Sequence, residues 1–99
     1  MFDKMKQLME MKKQVDKIKK NLDSSDIDVN EVSGISIKIN GSQNFVSISI
    51  DEEYLRPEAK RRLERDLLRS VNAAIRKSQG IAAEKMREVM PSIPGLGGF

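Results

Sequence analysis

The feature that most constrains the fold is a pair of short runs, between residues 35 and 50, in which apolar and polar side chains alternate. Ile35, Ile37 and Ile39 alternate with polar residues in the first run, and the second run follows the same pattern. Alternation with a period of two is typical of a strand that buries one face and exposes the other. The two runs therefore predict an antiparallel hairpin with one apolar face.

The length of the loop between these runs determines which residues face each other. A two-residue loop would set Ile39 against Asn44, whereas a four-residue loop over 41–44 makes every facing pair apolar. The longer loop is therefore predicted. Its facing pairs are Ile39 with Val46, Ile37 with Ile48, and Ile35 with Ile50.

Helical patterns flank the hairpin on both sides. Residues 2–22 carry apolar residues at alternating steps of three and four, the seam of a heptad pattern, which predicts a helix. Pro57 suits the first turn of a helix, and the residues after it predict a long helix over about 58–90, with a break allowed near Gly80. The seam of the first helix consists of Leu8, Met11, Val15, Ile18 and Leu22.

A short irregular strand is predicted at about 27–33, before the hairpin. The expected fold class is therefore α+β, with an N-terminal helix, a three-stranded antiparallel sheet and a long C-terminal helix. We expect strands near 27–33, 34–40 and 45–50 in a single domain over residues 1–90. A flexible tail rich in Pro and Gly is expected at 91–99.

Charge is distributed in three blocks along the chain. Residues 1–22 carry seven Lys against three carboxylates, and residues 23–53 carry seven carboxylates against one Lys. Residues 54–99 carry ten Lys or Arg against five carboxylates. Two basic segments therefore flank an acidic one, a pattern that favours an anionic partner held by the two ends of the chain.

Composition argues against several classes of function. The chain has no Cys and no His, so a thiolate site is excluded and the commonest general base and metal ligand are missing. The glycines near residue 95 neither follow a strand nor open a helix, as a phosphate-binding loop would. We therefore expect no enzyme activity, no cofactor, no metal and no small-molecule substrate.

The same composition bears on location. No apolar run approaches the roughly 20 residues that cross a membrane, and the charged N-terminus is unlike a signal peptide. We therefore expect a cytoplasmic protein. A membrane-surface role for the first helix, whose lysines oppose Met, Leu and Phe, is disfavoured because such a stripe more often faces a protein core or partner.

A stripe of arginines on the last helix is the stronger candidate for binding an anionic polymer. Spacings of three, four and seven, with Asn72 in the gap, place the arginines on one face over about 20 Å, which suits a run of phosphates. Each guanidinium is a planar fork that matches phosphate oxygens. The same pattern also suits ion pairs within the helix, from Glu58 to Arg62 and from Asp66 to Arg69. This arginine stripe comprises Arg62, Arg65, Arg69 and Arg76.

A stripe of lysines on the first helix is the second candidate. Lys6, Lys13 and Lys20 share the heptad position opposite the apolar seam, and Lys17 lies beside them. A helix face that is merely solvated is the alternative interpretation. Two cationic stripes on separate helices favour phosphate binding over that alternative.

Taken together, these segments resemble the YbaB/EbfC family of bacterial nucleoid-associated proteins. No single segment is a strong motif, but their order and spacing are fairly specific. They are the Met-, Gln- and Lys-rich helix Met1 to Leu22, the hairpin strand Ile35 to Gly41, the strand end Ile48 to Asp51, the segment Leu67 to Ala74, Lys85-Met86 and Pro94-Gly95.

The resemblance implies a homodimer in which helices project like the arms of tweezers, and it implies binding to duplex DNA in the nucleoid. The core residues are also few, with no Trp, one Tyr and three Phe, which favours pairing with a second copy. The expected DNA-contacting residues are the lysine and arginine stripes, with weak or no sequence preference. The alternative is a protein-interaction module that uses the amphipathic first helix without binding DNA.

Overall fold

The computed structural model of the protein describes residues 2–89. The expected α+β class is confirmed, with an N-terminal helix, a three-stranded antiparallel sheet and a long C-terminal helix. The tail expected at 91–99 lies outside the described residues. The elements are α1 (Phe2–Asp23), β1 (Asp26–Val32), β2 (Ile35–Asn40), β3 (Phe45–Ile50), short 3-10 turns at Glu52–Tyr54 and Pro57–Ala59, and α2 (Lys60–Val89).

The core lies between the sheet and α2. The sheet order is β1-β2-β3 with both neighbours antiparallel, so β2 is central and its three isoleucines are almost completely buried. α2 packs across β1 and β2 and contributes Ala74, which is fully buried. β3 keeps its apolar side chains largely exposed, since Val46 is 52% and Ile48 48% exposed.

The hairpin register is confirmed at two of its three predicted pairs. Ile35 faces Ile50 and Ile37 faces Ile48, but Ile39 faces Phe45 because a bulge interrupts the ladder. The prediction that Ile39 faces Val46 is therefore wrong. The reason lies in the turn: the side-chain oxygen of Asn40 accepts hydrogen bonds from the backbone N–H groups of Ser42 and Asn44, at 3.0 and 2.9 Å. This closure leaves one extra residue on β3, which forms the bulge.

α2 runs without interruption through Gly80, so the break allowed at this position does not occur. The helix also begins at Lys60, two residues later than predicted, because Pro57–Ala59 form a 3-10 turn. A glycine inside a helix costs about 1 kcal/mol relative to alanine. On the buried side of this part of the helix, the Ser78 hydroxyl donates to the carbonyl of Asn40 at 2.8 Å, which holds α2 on the sheet.

The β2–β3 turn fixes the end of α1. The N–H of Gly41 donates to the carbonyl of Leu22 at 2.9 Å, the amide of Asn40 donates to the carbonyl of Asp23 at 3.3 Å, and the Ser42 hydroxyl donates to the Asp23 carboxylate. We call this group of contacts the turn clamp. It sets the direction in which α1 leaves the sheet.

Beyond the clamp, α1 runs beside the C-terminal part of α2. Lys85 donates to the side chains of Asn21 and Ser25, and Ile18 is the buried residue of α1 between the helices. We call α1 together with residues 78–89 the arm, and the sheet with the first half of α2 the body. The Cα extents are 67 × 23 × 15 Å, so the molecule is long and two layers thick.

Candidate nucleic-acid interface

The arginine stripe lies on the solvent-facing side of α2, with Arg69 at the edge of that side, where it reaches Glu31 of β1. Ala74 and Ser78 are fully buried against the sheet, and at 100° per residue the stripe falls on the opposite side of the helix. Its four members are all exposed. The structure therefore brings Arg62, Arg65, Arg69 and Arg76 together on one solvent-facing surface, about 21 Å long.

The arginines have partners that helix spacing did not predict. Within residues 2–89 the ion pairs join Lys60 to Glu64, Arg65 to Asp66 and Arg69 to Glu31. The pairs that helix spacing allowed, Glu58 with Arg62 and Asp66 with Arg69, do not form. The Arg62 guanidinium lies over the Tyr54 ring instead, and Arg69 pairs with Glu31 while Asp66 pairs with Arg65.

These pairs leave the guanidinium groups accessible. The Arg65 and Arg69 side chains are 74% and 65% exposed, and each pair uses one Nε atom at 3.3 or 3.4 Å. A guanidinium carries five N–H donors, so each pair leaves further donors for a second acceptor. Phosphate oxygens can therefore approach the remaining donors without an expensive rearrangement.

A polar cluster supports the first turns of the stripe. The Tyr54 hydroxyl lies 2.9 Å from a carboxylate oxygen of Asp66 and 3.2 Å from the carbonyl of Ser33. The Arg62 guanidinium lies over the Tyr54 ring, 4.9 Å from its centroid, a cation–π arrangement. Tyr54 comes from the 3-10 turn, so no pattern along α2 could have identified it.

The cluster shifts two pKa values. The hydrogen bond from Tyr54, together with the nearby Arg65 and Arg62, lowers the pKa of the Asp66 carboxyl below its usual range, although partial burial acts against them. The hydrogen bond to Asp66 and burial raise the pKa of the Tyr54 hydroxyl. Asp66 is therefore a carboxylate and Tyr54 a neutral phenol at neutral pH, the states that this hydrogen bond requires.

Arg87, which was not among the predicted residues, continues the arginine stripe toward the end of α2. It lies eleven residues after Arg76, close to three full helical turns, and it is exposed. Gly80 and Ala83 lie between them on the same face. The same periodicity that revealed the first four arginines would have found Arg87 if it had been followed past the gap.

The lysine stripe lies on α1, on the side opposite Ile18. Lys6, Lys13 and Lys20 are exposed along this side. Lys17 is also exposed, but it lies toward α2 and lines a cleft with Lys85 and Glu88. The first three lysines therefore form a surface on the arm alone.

The two stripes do not share a surface. Lys85 of α2 reaches α1 at Asn21 and Ser78 of α2 reaches the sheet at Asn40, so α1 and the sheet lie on the same side of α2. The arginine stripe points away from that side. The lysine stripe points away from α2, so the two stripes face away from each other.

An apolar groove runs along the β3 side of the body. Lys77 reaches the Asp28 carbonyl of β1, so that flank of α2 faces β1 and the other flank faces β3. The β3-facing flank carries Leu68, which is 64% exposed, and Ile75, which is half-buried. We call these two residues, together with the exposed Val46 and Ile48 of β3, the apolar groove.

The described residues were also compared with the requirements of a metal site and of a membrane-spanning helix. Within residues 2–89 no group of three or more metal-ligating side chains is positioned to bind a metal ion. In the same part of the chain, no helix combines the length and apolar character needed to span a membrane.

Comparison with known proteins gives a consistent result. The family described as "YbaB/EbfC DNA-binding family" matches residues 1–93. A nucleoid-associated protein of Alkaliphilus metalliredigens is 29% identical, covering 97% of this chain and 87% of that protein. One from Chloroflexus aurantiacus is 30% identical over 93% of each chain. One from Ruminiclostridium cellulolyticum is 30% identical, covering 96% of this chain and 84% of that protein.

Proposed function

This chain belongs to the YbaB/EbfC DNA-binding family, and we propose that it binds duplex DNA as a homodimer, mainly through phosphate contacts and with weak or no sequence preference. Its relatives are named nucleoid-associated proteins, so the proposed location is the nucleoid, within the cytoplasm. The family is one of DNA-binding proteins, and we propose that this chain catalyses no reaction. The observation that carries the proposal is the exposed arginine stripe of α2.

The chemistry of the stripe fits a phosphate backbone. Its guanidinium groups follow one another along about 21 Å of a single helix, and each presents donors in the fork that matches two phosphate oxygens. Contacts of this kind fix the position of a protein on a duplex but carry no sequence information. Weak sequence preference follows from this mode of contact.

The apolar groove supports the proposed homodimer. An exposed, contiguous apolar patch usually marks an interaction site, and β3 is an edge strand whose outer backbone groups lack a strand partner in the described sheet. A second copy related by a two-fold axis would present the same groove in return. We propose that Val46, Ile48 and Leu68 are covered in this way.

A mobility shift on random-sequence duplex DNA tests the DNA-binding proposal. The variant Arg69→Gln with Arg76→Gln removes two charges from the stripe, and Arg69→Lys with Arg76→Lys keeps them. We expect the Gln variant to bind all sequences more weakly and to reduce the slope of log K against log salt by about 1 for each arginine that contacts a phosphate. The Lys variant should keep the slope and lose only part of the affinity.

Two results would contradict the assignment. The stripe would not be the DNA-contacting surface if the Gln variant bound as tightly as the parent at low salt. A parent protein that binds no duplex at low salt would remove the proposed function itself. Circular dichroism of each variant establishes that the fold is retained.

One observation favours the protein-interaction alternative. Met5, Leu8 and Met9 on the first turns of α1 are each more than 60% exposed, as expected for a helix that docks on a partner. The variant Leu8→Ser with Met9→Ser separates the two functions. If DNA binding is the function, this variant shifts duplex DNA like the parent. If the alternative holds, the parent shifts no duplex. A partner protein then binds the parent but does not bind this variant.

A further inference from the structure

We propose that one protein molecule links two DNA duplexes, one held on the arginine stripe of α2 and the other on the lysine stripe of α1. This inference rests on the proposed DNA-binding function and adds a second site to it. The observation behind it is the opposite direction of the two stripes. The sequence does not reveal the relative direction of the stripes, because that direction depends on how α1 packs against α2.

A single straight duplex cannot contact both stripes of one protomer. The stripes point away from each other, so a duplex that reached both would have to turn through roughly half a circle around the edge of the molecule. Bending a short duplex by much less than this is already energetically costly. Two separate duplexes meet the same charges without that bending energy.

The thickness of the molecule allows both duplexes to be present at once. Even the shortest Cα extent of the molecule is 15 Å, and the side chains of both stripes extend outward from the Cα atoms. The Debye length at physiological ionic strength is about 8 Å. Phosphates on one face are therefore largely screened from those on the other, so occupation of one stripe does not repel a duplex from the second.

The surroundings of the lysine stripe confine its duplex to the arm. The outer face of the sheet, which lies on the same side of α2 as α1, exposes the carboxylates of Asp26 and Asp28. These carboxylates repel phosphates, and Lys38 opposite Asp28 is the single lysine of the sheet. The second duplex therefore contacts α1 and leaves the body free.

Capture of a free duplex by an immobilised one tests the inference. Beads carry one random-sequence duplex, the protein is added, and a labelled second duplex is then supplied at constant salt. Three double variants each remove two positive charges: Lys13→Gln with Lys20→Gln on the lysine stripe, Arg69→Gln with Arg76→Gln on the arginine stripe, and Lys12→Gln with Lys19→Gln as a control. The control residues have the same spacing on α1 but lie on another side of the helix.

We expect the parent and the control to capture the labelled duplex. Each single-stripe variant should capture at least tenfold less at equal occupancy of the beads, and the lysine variant should still shift a single duplex like the control. Equal capture by the lysine variant and the control would overturn the inference. Such a result is expected if the two arginine stripes of a homodimer link the duplexes, because the lysine variant would then still capture the labelled duplex.

The other outcomes are equally distinct. If both stripes contacted one duplex, the lysine variant would lose single-duplex affinity and its capture would fall only in proportion, which overturns the inference. A parent that shifts a single duplex but captures none overturns this inference and leaves the proposed function standing. A parent that shifts no duplex overturns the proposed function.

Discussion

Gly41 lies where the β2–β3 turn meets the end of α1, and it has no room for a side chain. A Cβ there would lie 2.7 Å from Leu22 Cδ2 and 3.1 Å from the Leu22 backbone. We expect Gly41→Ala to lower the free energy of unfolding by about 1–3 kcal/mol, because the turn clamp must open to accommodate it. Urea unfolding monitored by circular dichroism measures this change.

Gly80 provides the matched control. A Cβ at this position meets no atom within 4 Å, and the residue is helical. Gly80→Ala should therefore raise the free energy of unfolding by up to about 1 kcal/mol. Opposite expectations for the same substitution at the two positions separate the packing of the clamp from any general effect of alanine.

Asp66 makes stability depend on pH in a defined direction. Because the pKa of its carboxyl is lowered in the folded protein, its contribution to stability is present above the ordinary aspartate pKa, near 4. This contribution is lost as the pH falls from there through the lowered value. We expect Asp66→Asn to lose less stability than the parent between pH 6 and pH 3, since the amide oxygen can still accept from Tyr54 but no longer titrates.

Tyr54→Phe tests the cause of this shift, because it removes the hydroxyl that contributes most to it. The loss of its unfolding free energy between pH 6 and pH 3 should be closer to that of Asp66→Asn than to that of the parent. Retention of the parent's full acid dependence by both variants would show that the cluster is not the source.

At the level of single residues, the sequence identified which arginines share a face but not what they contact. Spacing along one helix is a local property, and α2 displays it as predicted. Glu31 lies far from Arg69 in the chain, and only the packing of α2 on the sheet brings them together. Tyr54 lies outside α2, in the 3-10 turn that precedes it, so helix spacing could not place it under Arg62. Local ion pairs were expected because local pairs are the ones that spacing can reveal.

Among the elements, the hairpin shows where pattern reading stops being sufficient. Alternation placed Ile35 and Ile37 against the correct partners, because burial of one face fixes the register over most of the strand. The bulge at β3 arises from the side chain of Asn40 acting as an acceptor inside the turn. The distribution of apolar residues carries no information about such a contact.

The apolar groove yields a prediction for the strand that lines it. Ile48→Asp places a charge in the groove, whereas Ser49→Asp places the same charge on the outer face of the same strand. If the groove joins two copies, Ile48→Asp should shift the protein from dimer to monomer, and Ser49→Asp should leave the dimer intact. Sedimentation or light scattering at several protein concentrations measures this difference. A dimer that persists in Ile48→Asp would exclude the groove as the interface.

As a whole, the molecule is elongated. Its radius of gyration is 19.0 Å, against about 13 Å for a compact domain of 100 residues. The arm accounts for this difference, and it buries few side chains apart from Ile18. The sequence predicted both arm helices, but their relative placement follows from long-range contacts such as Lys85 to Asn21, so the opposite directions of the two stripes could not be derived from it.

This shape predicts a gradient of local stability along the molecule. Amides of β2, whose side chains form the core, should exchange their hydrogens most slowly, and amides of residues 3–12 of α1 should exchange fastest among the helices. Hydrogen exchange followed by mass spectrometry measures the gradient. Uniform protection along α1 would show that its exposed apolar residues are covered in solution.

The turn clamp has a consequence for how this architecture can be adjusted. α1 is about 33 Å long and is held at one end, so a rotation of about 10° at the clamp moves the free end by about 6 Å. The turn residues Asn40, Gly41 and Ser42 thus form a hinge for α1, and none of them belongs to either stripe. Substitutions at this hinge can change the direction of α1, and with it the position of the lysine stripe, while the charges on its surface stay the same.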